Sequence, residues 1–313
     1  MQRTDLDVAL PERPETSSAV GPARLRLHAA LVVVQLAFGS LAVEGKVVMS
    51  PRHGVSPAAL VMVRILGAAA VFAVAHLVMG TPRVRAWVDV ARLGGLALAG
   101  VVVNQLLFMS GLRLTSPVAA TLLIATIPVF AALVAAVFRR DRITGRSALG
   151  IGVAVLGIAV LSRFTLPHAG DVLVLANSLS YAFFVVFAKG MIDRFGAVTV
   201  TAWVFGLGAV VFAPLGAAQL AREAPTWSRD TILLTAYVVL VPTVLAYGIN
   251  AWALRRATPT LVAVYVYLQP IVVVTLAWLQ LGEPLHAHAA AGGLLILAGV
   301  AVVASGRRAP PPA

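Results

Sequence analysis

The chain has 313 residues, 60% hydrophobic and 12% charged, with mean hydropathy +0.95 and a formal net charge of +12. Soluble domains carry roughly 25% charged residues, so half the usual water-facing surface is missing and the solvent that suits this sequence is a bilayer. The Lys and Arg residues sit in short segments between apolar runs instead of forming one basic patch, which argues against nucleic acid as a partner; the absence of cysteine excludes disulfides, thiol catalysis and Cys-ligated zinc.

Residues 1–27 mix acids, Pro and Arg and read as a solvated N-terminal tail, without the basic start and short apolar stretch of a secretory signal. A span needs ~20 mostly apolar residues. In chain order the expected spans are 28–49, 57–79, 92–112, 117–138, 147–163, 169–191, 197–219, 231–253, 259–281 and 287–305. The breaks between them carry Pro, Gly and charge, as at Ser50-Pro51-Arg52-His53-Gly54, Arg139-Arg140-Asp141-Arg142 and Gly282-Glu283-Pro284. Residues 306–313 end in a proline run and read as a second tail. The expected fold is therefore an all-α membrane protein of ten transmembrane helices.

With an even number of spans both termini share a side. That side collects 17 Lys and Arg residues against 5 on the other, with Lys46 and Arg64 left inside spans. The bias predicts cytoplasmic N- and C-termini in a multi-pass inner-membrane protein.

The chain also repeats itself. Pro117 and Pro259 are separated by 259 − 117 = 142 positions, and the same interval links Leu112 with Leu254, Pro128 with Pro270, Gly150 with Gly292, Gly157 with Gly299, and Asp141 with Glu283. Two five-helix units follow, 28–163 and 169–305. Because five is odd, the second unit enters the membrane upside down. The Arg cluster around Asp141, absent around Glu283, marks the two links for opposite sides. Inverted repeats are a device of secondary transporters, whose halves exchange conformations to alternate access.

The stretch Asn104-Gln105 through Gly111-Leu112, Thr115-Ser116-Pro117, Ala120 and Pro128 is similar to the centre of a first EamA repeat. Leu268-Gln269-Pro270 through Leu281-Gly282-Glu283-Pro284, with Gly292 and Gly299, is similar to the end of a second. On these residues the chain resembles an EamA family permease of the drug/metabolite transporter superfamily, over about residues 28–305. The resemblance implies a ten-helix permease that exports metabolites, amino acids or drug-like solutes, around a central cavity lined by helices 1, 3, 4, 6, 8 and 9. Asp141, flanked by Arg, departs from the Gly-Glu the family tends to have there.

Polar residues inside spans are costly and each needs a reason. Glu44 and Arg64 lie at matched depth, about 9–12 Å from the ends of the first hairpin, and are placed to form an ion pair. Glu44, Lys46 and Arg64 are the candidates for coupling or gating, with a locking bridge or a snorkelling Lys46 as the structural alternative. Pro128 and Pro270 fall about 16 Å into their helices and should kink them. Ser116 and Thr258 are placed to cap those same helices. Candidate cavity residues are Asn104, Gln105, Asn177, Tyr181, Tyr247, Asn250, Tyr265 and Gln269, whose amides and rings suit amphiphilic solutes, although such residues also serve helix packing. His286 and His288 lack a ligand set, so no metal is expected.

No nucleophile–base pair, His-Glu-x-x-His run or phosphate-binding Gly-Lys loop appears, so neither an enzyme nor an ATPase is expected, and no cofactor. A membrane-embedded enzyme and a non-transporting scaffold or sensor are the alternatives to a transporter. The expected partners are lipid and a small-molecule substrate. Protons or a counter-transported solute are candidate driving species, and a homodimer is a candidate assembly.

Overall fold

The structure, a computed structural model, describes residues 22–141, 143–254, 256 and 265–305. The two outer parts of the tails, and Thr258 with Pro259, lie outside the described residues. All regular structure among the described residues is helical. The helices are α1 (Pro22–Val48), α2 (Pro57–Val78), α3 (Trp87–Leu114), α4 (Pro117–Val137), α5 (Gly145–Leu161), α6 (Ala169–Phe195), α7 (Ala197–Glu223), α8 (residues 229–254), α9 (Gln269–Leu281) and α10 (Ala287–Ser305).

Seven of these stretches, α1 to α4 with α6, α7 and α10, are long and apolar enough to cross a bilayer, and α5 and α9 are shorter apolar helices. Large apolar side chains point outward from them, Val78 at 81%, Leu77 at 77% and Leu294 at 69% exposure among many. Water tolerates no apolar surface of that extent on a monomer, whereas lipid does. Interior positions are apolar as well, in one large cluster running through Leu60, Ile65, Met109, Leu123 and Ile296.

Local sequence sets the helix starts. Ser56, Ser116, Thr144 and Ser228 each accept a hydrogen bond from the backbone N–H three residues on, at 3.1–3.2 Å. Pro57 and Pro117 follow their caps directly, where a missing N–H costs nothing. Ser116 thus caps α4 as its place before Pro117 predicts.

Irregular winding recurs with the interval of the sequence repeat. Leu98–Val103 of α3 is a π-helix, and so is Leu240–Leu245 of α8, 240 − 98 = 142 positions later. Winding is interrupted again at Ala125-Thr126, just before Pro128, and at the 3-10 turn Val266–Leu268, just before Pro270. A proline ring excludes the carbonyl four residues earlier from normal helical bonding. Both breaks fall where that exclusion acts.

Helices α5 and α10 pack through facing glycines. A Cβ on Gly150 would lie 2.7 Å from the Gly299 carbonyl oxygen, and one on Gly157 would lie 2.8 Å from that of Gly292. Position rises along one helix as it falls along the other, so the two run antiparallel. Only a residue without a side chain permits such an approach.

Candidate functional site

A cavity of about 270 Å³ opens in the centre of the bundle. Asn104, Gln105, Asn177, Tyr181 and Gln269 line it, as does Arg64. Phe38, Phe108 and Phe205 supply apolar walls. Helices α1, α3, α4, α6 and α9 contribute, together with two that the resemblance does not imply: α2 through Arg64 and α7 through Phe205. The side chains of Tyr247 and Asn250 on α8 lie outside the described residues.

The polar lining is built by cross-helix ties. Asn104 Nδ2 donates to the Asn177 carbonyl at 3.3 Å, and Asn177 Nδ2 donates back to the Asn104 carbonyl at 2.8 Å. Both amides stand next to the π turn of α3, and Ser180 Oγ donates at 2.7 Å to Ala99 O inside that turn. A π turn loosens the backbone ladder, and a hydroxyl on the neighbouring helix adds a hydrogen bond to one of its carbonyls. On the opposite wall Gln269 Nε2 donates at 2.9 Å to Oε1 of Gln35, which is 2% exposed. Tyr181 lies against Phe184, ring centroids 5.6 Å apart.

Arg64 is 6% exposed, and among the described residues it is the one charged side chain lining the cavity. Gln105 is 9% exposed, and its Oε1 is buried with no hydrogen-bond partner. Such orphaned acceptors are rare and call for an explanation.

Tyr265 is placed elsewhere. Its hydroxyl lies 2.6 Å from His28 Nδ1, near Leu31 and Ala253, tying the start of α1 to the segment before α9. A four-residue spacing puts Tyr265 and Gln269 on one face only in a regular α-helix, and the 3-10 turn Val266–Leu268 rotates them apart.

The expected Glu44–Arg64 ion pair is not formed. Glu44 accepts from Gln280 Nε2 on α9 at 2.9 Å, while Arg64 turns into the cavity. Matched depth does not fix azimuth, and the two side chains leave their helices in different directions. Lys46 reaches across to the end of α3. Its Nζ donates to the carbonyl oxygens of Leu112, Arg113 and Thr115 at 2.9, 2.8 and 2.7 Å. Those are orphan carbonyls at the end of α3, where the helix dipole also favours a cation. At the other end of α3, Asp89 takes Arg194 of α6 at 2.9 Å.

Sequence reading missed Gln35, Phe38, Phe205 and Asp89. Gln35 carried a signal, a lone amide inside an apolar run. The phenylalanines carried none, since aromatic residues on apolar helices face lipid as often as a cavity.

An all-helical bundle with apolar outward faces around a small internal cavity defines a multi-pass membrane protein. The EamA-like transporter family matches residues 27–163 and again 168–305, and the chain belongs to that family. It is a transporter built of two repeats, not an enzyme. An uncharacterized transporter of Archaeoglobus fulgidus is 30% identical over 212 residues, 66% of this chain and 73% of the relative. A probable terminal-alkyne amino-acid exporter of Streptantibioticus cattleyicolor is 28% identical over 256 residues, 80% of this chain and 84% of the exporter. A protein of known crystal structure shares the fold with a TM-score of 0.59 at 20% identity, over 90% of this chain and 97% of its own.

Proposed function

We propose that this transporter is a ten-span permease of two inverted repeats, 28–163 and 169–305, which exports a small solute through the central cavity by alternating access. The single observation that carries this reading is the cavity itself, which carries four amide side chains among apolar walls and is lined from both repeats. A solute held between two related halves is exposed to one side or the other as the halves exchange conformations.

Inversion draws support from α5 and α10. The repeat interval equates Gly150 with Gly292 and Gly157 with Gly299, while the packed pairs are Gly150 with Gly299 and Gly157 with Gly292. A two-fold rotation that carries one of two antiparallel helices onto the other has its axis across them, in the plane of the membrane. The Lys and Arg bias then places the tails 1–27 and 306–313, and the Asp141 link, in the cytoplasm.

On this orientation the ties of α1 to α3 through Lys46, and to α9 through Glu44 and Gln280, form the closure on the external side. Arg64 faces the solute. The winding breaks before Pro128 and Pro270 are the points at which α4 and α9 bend. Protons or a counter-transported solute supply the drive. For protons the carboxylate at the closure is Glu44, and a Glu44→Gln protein whose transport still followed the pH gradient would exclude it.

Two measurements test the reading. Reporter fusions after Asp141 and after Glu283 should report opposite sides of the membrane, and the same side for both would end the inverted arrangement. Purified protein in liposomes should exchange a labelled solute from a panel of amino acids and small organic acids. No exchange across a panel of anionic, neutral and cationic solutes would end the transport reading.

A further inference from the structure

We infer that a second cavity, ringed by Arg92, Arg140 and Arg194, is a binding site for an anionic phospholipid, which sets its phosphate among the guanidiniums and lays an acyl chain against the apolar wall beneath them. The inference does not rest on the transport reading; it needs only that the helices cross a bilayer.

Three helix ends make the site. Arg92 stands in the second turn of α3, Arg194 in the last turn of α6, and Arg140 just past the end of α4. They meet at one end of the bundle, the level of the lipid headgroups, and line one cavity of about 610 Å³. No Asp or Glu lines it among the described residues, and it shares no lining residue with the central cavity.

Each guanidinium has contacts, and the sum still favours an anion. Asp89 takes Arg194 at 2.9 Å and stands 3.7 Å from Arg92, so one carboxylate serves two cations, both of which remain more than half exposed. Arg140 donates to the Val186 carbonyl at 3.1 Å and lies over the Phe187 ring, 4.3 Å from its centroid. Those contacts hold the Arg140 guanidinium in place without neutralising it. A guanidinium carries five N–H donors in a planar fork that matches a phosphate.

The walls distinguish a lipid from a free anion. Phe183 and Phe187 stack with centroids 6.2 Å apart and line the cavity with Leu96 and Met191. Phe183 lies 11 residues before Arg194, about 16 Å deeper along α6, which is about half of a ~30 Å hydrocarbon core and so the reach of one acyl chain. Gly190 also lines the cavity, and a Cβ there would meet nothing within 4 Å. Protein leaves that space unfilled. An inorganic anion gains nothing from apolar walls, whereas an acyl chain gains by burial, and basic pockets between transmembrane helices suit anionic headgroups.

The test uses the full chain in detergent micelles doped with phosphatidylglycerol or with phosphatidylcholine of the same chains, and counts bound lipid by native mass spectrometry. Phosphatidylglycerol should bind at least about tenfold more tightly than phosphatidylcholine. Arg92→Gln with Arg140→Gln leaves the Asp89–Arg194 tie intact and should lower phosphatidylglycerol affinity about 10–30-fold, the worth of two cations at a membrane surface. Arg83→Gln with Arg85→Gln removes two cations from the adjoining link, outside the cavity, and should leave the affinity within about threefold of wild type. Gly190→Leu fills the groove, removes no charge and favours the helix; it should displace the lipid too, and it keeps the inference open to refutation if the arginine variant does not fold.

Equal binding of the two lipids would overturn the inference. So would an equal loss in the Arg83→Gln, Arg85→Gln protein, because the attraction would then be that of any basic membrane face. Inorganic phosphate and glycerol phosphate serve as competitors, and displacement by either at the concentration of the lipid would make this an anion site without a lipid. Unchanged binding by a folded Gly190→Leu protein would end the inference as well.

Discussion

The ammonium of Lys46 lies 2.8 Å from the carbonyl oxygen of Arg113, and the carbonyls of Leu112 and Thr115 take its other two protons. One side chain near the end of α1 thereby satisfies a set of carbonyls that the last turn of α3 cannot satisfy for itself. Lys46→Met keeps the length of the stem and removes all three donors. The expected loss is about 1.5–3 kcal/mol, the range for hydrogen bonds to a charged group, read by denaturant titration in mixed micelles. Unchanged stability would show that the clamp contributes nothing.

Glycines on α5 predict effects of opposite sign. A Cβ at Gly157 would sit 2.7 Å from Ile296 N and 2.8 Å from Gly292 O, both backbone atoms that cannot move alone. Gly157→Ala should destabilise by about 1–3 kcal/mol, the usual cost of overpacking. Gly152 on the same helix meets nothing within 4 Å. Gly152→Ala should be neutral or stabilise by up to about 1 kcal/mol through helix propensity. Thermal unfolding of the two variants side by side checks the pair.

The Asp89–Arg194 ion pair joins α3 to α6 with the acid side chain 3% exposed and the arginine 58% exposed. Solvent around the guanidinium weakens the attraction, so Asp89→Asn should cost only about 1 kcal/mol. The difference between wild type and variant should shrink at high salt. A difference that grew with salt would contradict a charge-based tie.

The winding breaks before Pro128 and Pro270 predict a kinetic effect. Pro128→Ala with Pro270→Ala restores both backbone donors and permits continuous helices. If α4 and α9 bend there during turnover, the double variant should transport about tenfold more slowly, a barrier increase of about 1.4 kcal/mol. Its solute affinity should be unchanged. A double variant of normal rate would make the breaks features of packing alone.

Much of this protein was written in one dimension. Apolar runs of bilayer length marked the helices, and the described starts at Pro57, Pro117, Ala169, Ala197 and Ala287 coincide with the expected ones, because caps, prolines and hydropathy act locally. The 142-residue interval reappears in the π turns and in the breaks before Pro128 and Pro270, since local winding follows local sequence. Asn104, Gln105, Asn177, Tyr181 and Gln269 were legible as cavity residues, because an amide or hydroxylated ring in an apolar helix needs an interior to face.

Azimuth and partner choice were decided only in three dimensions. Matched depth suggested Glu44 with Arg64, but Glu44 found Gln280, Lys46 found three carbonyls, and Arg64 turned to the cavity. A 3-10 turn carried Tyr265 away from Gln269 and toward His28. Rise along a helix is fixed at 1.5 Å per residue, so depth can be counted from sequence. Which neighbour a side chain meets depends on how every helix is rotated against the others, and packing of the whole bundle sets that rotation.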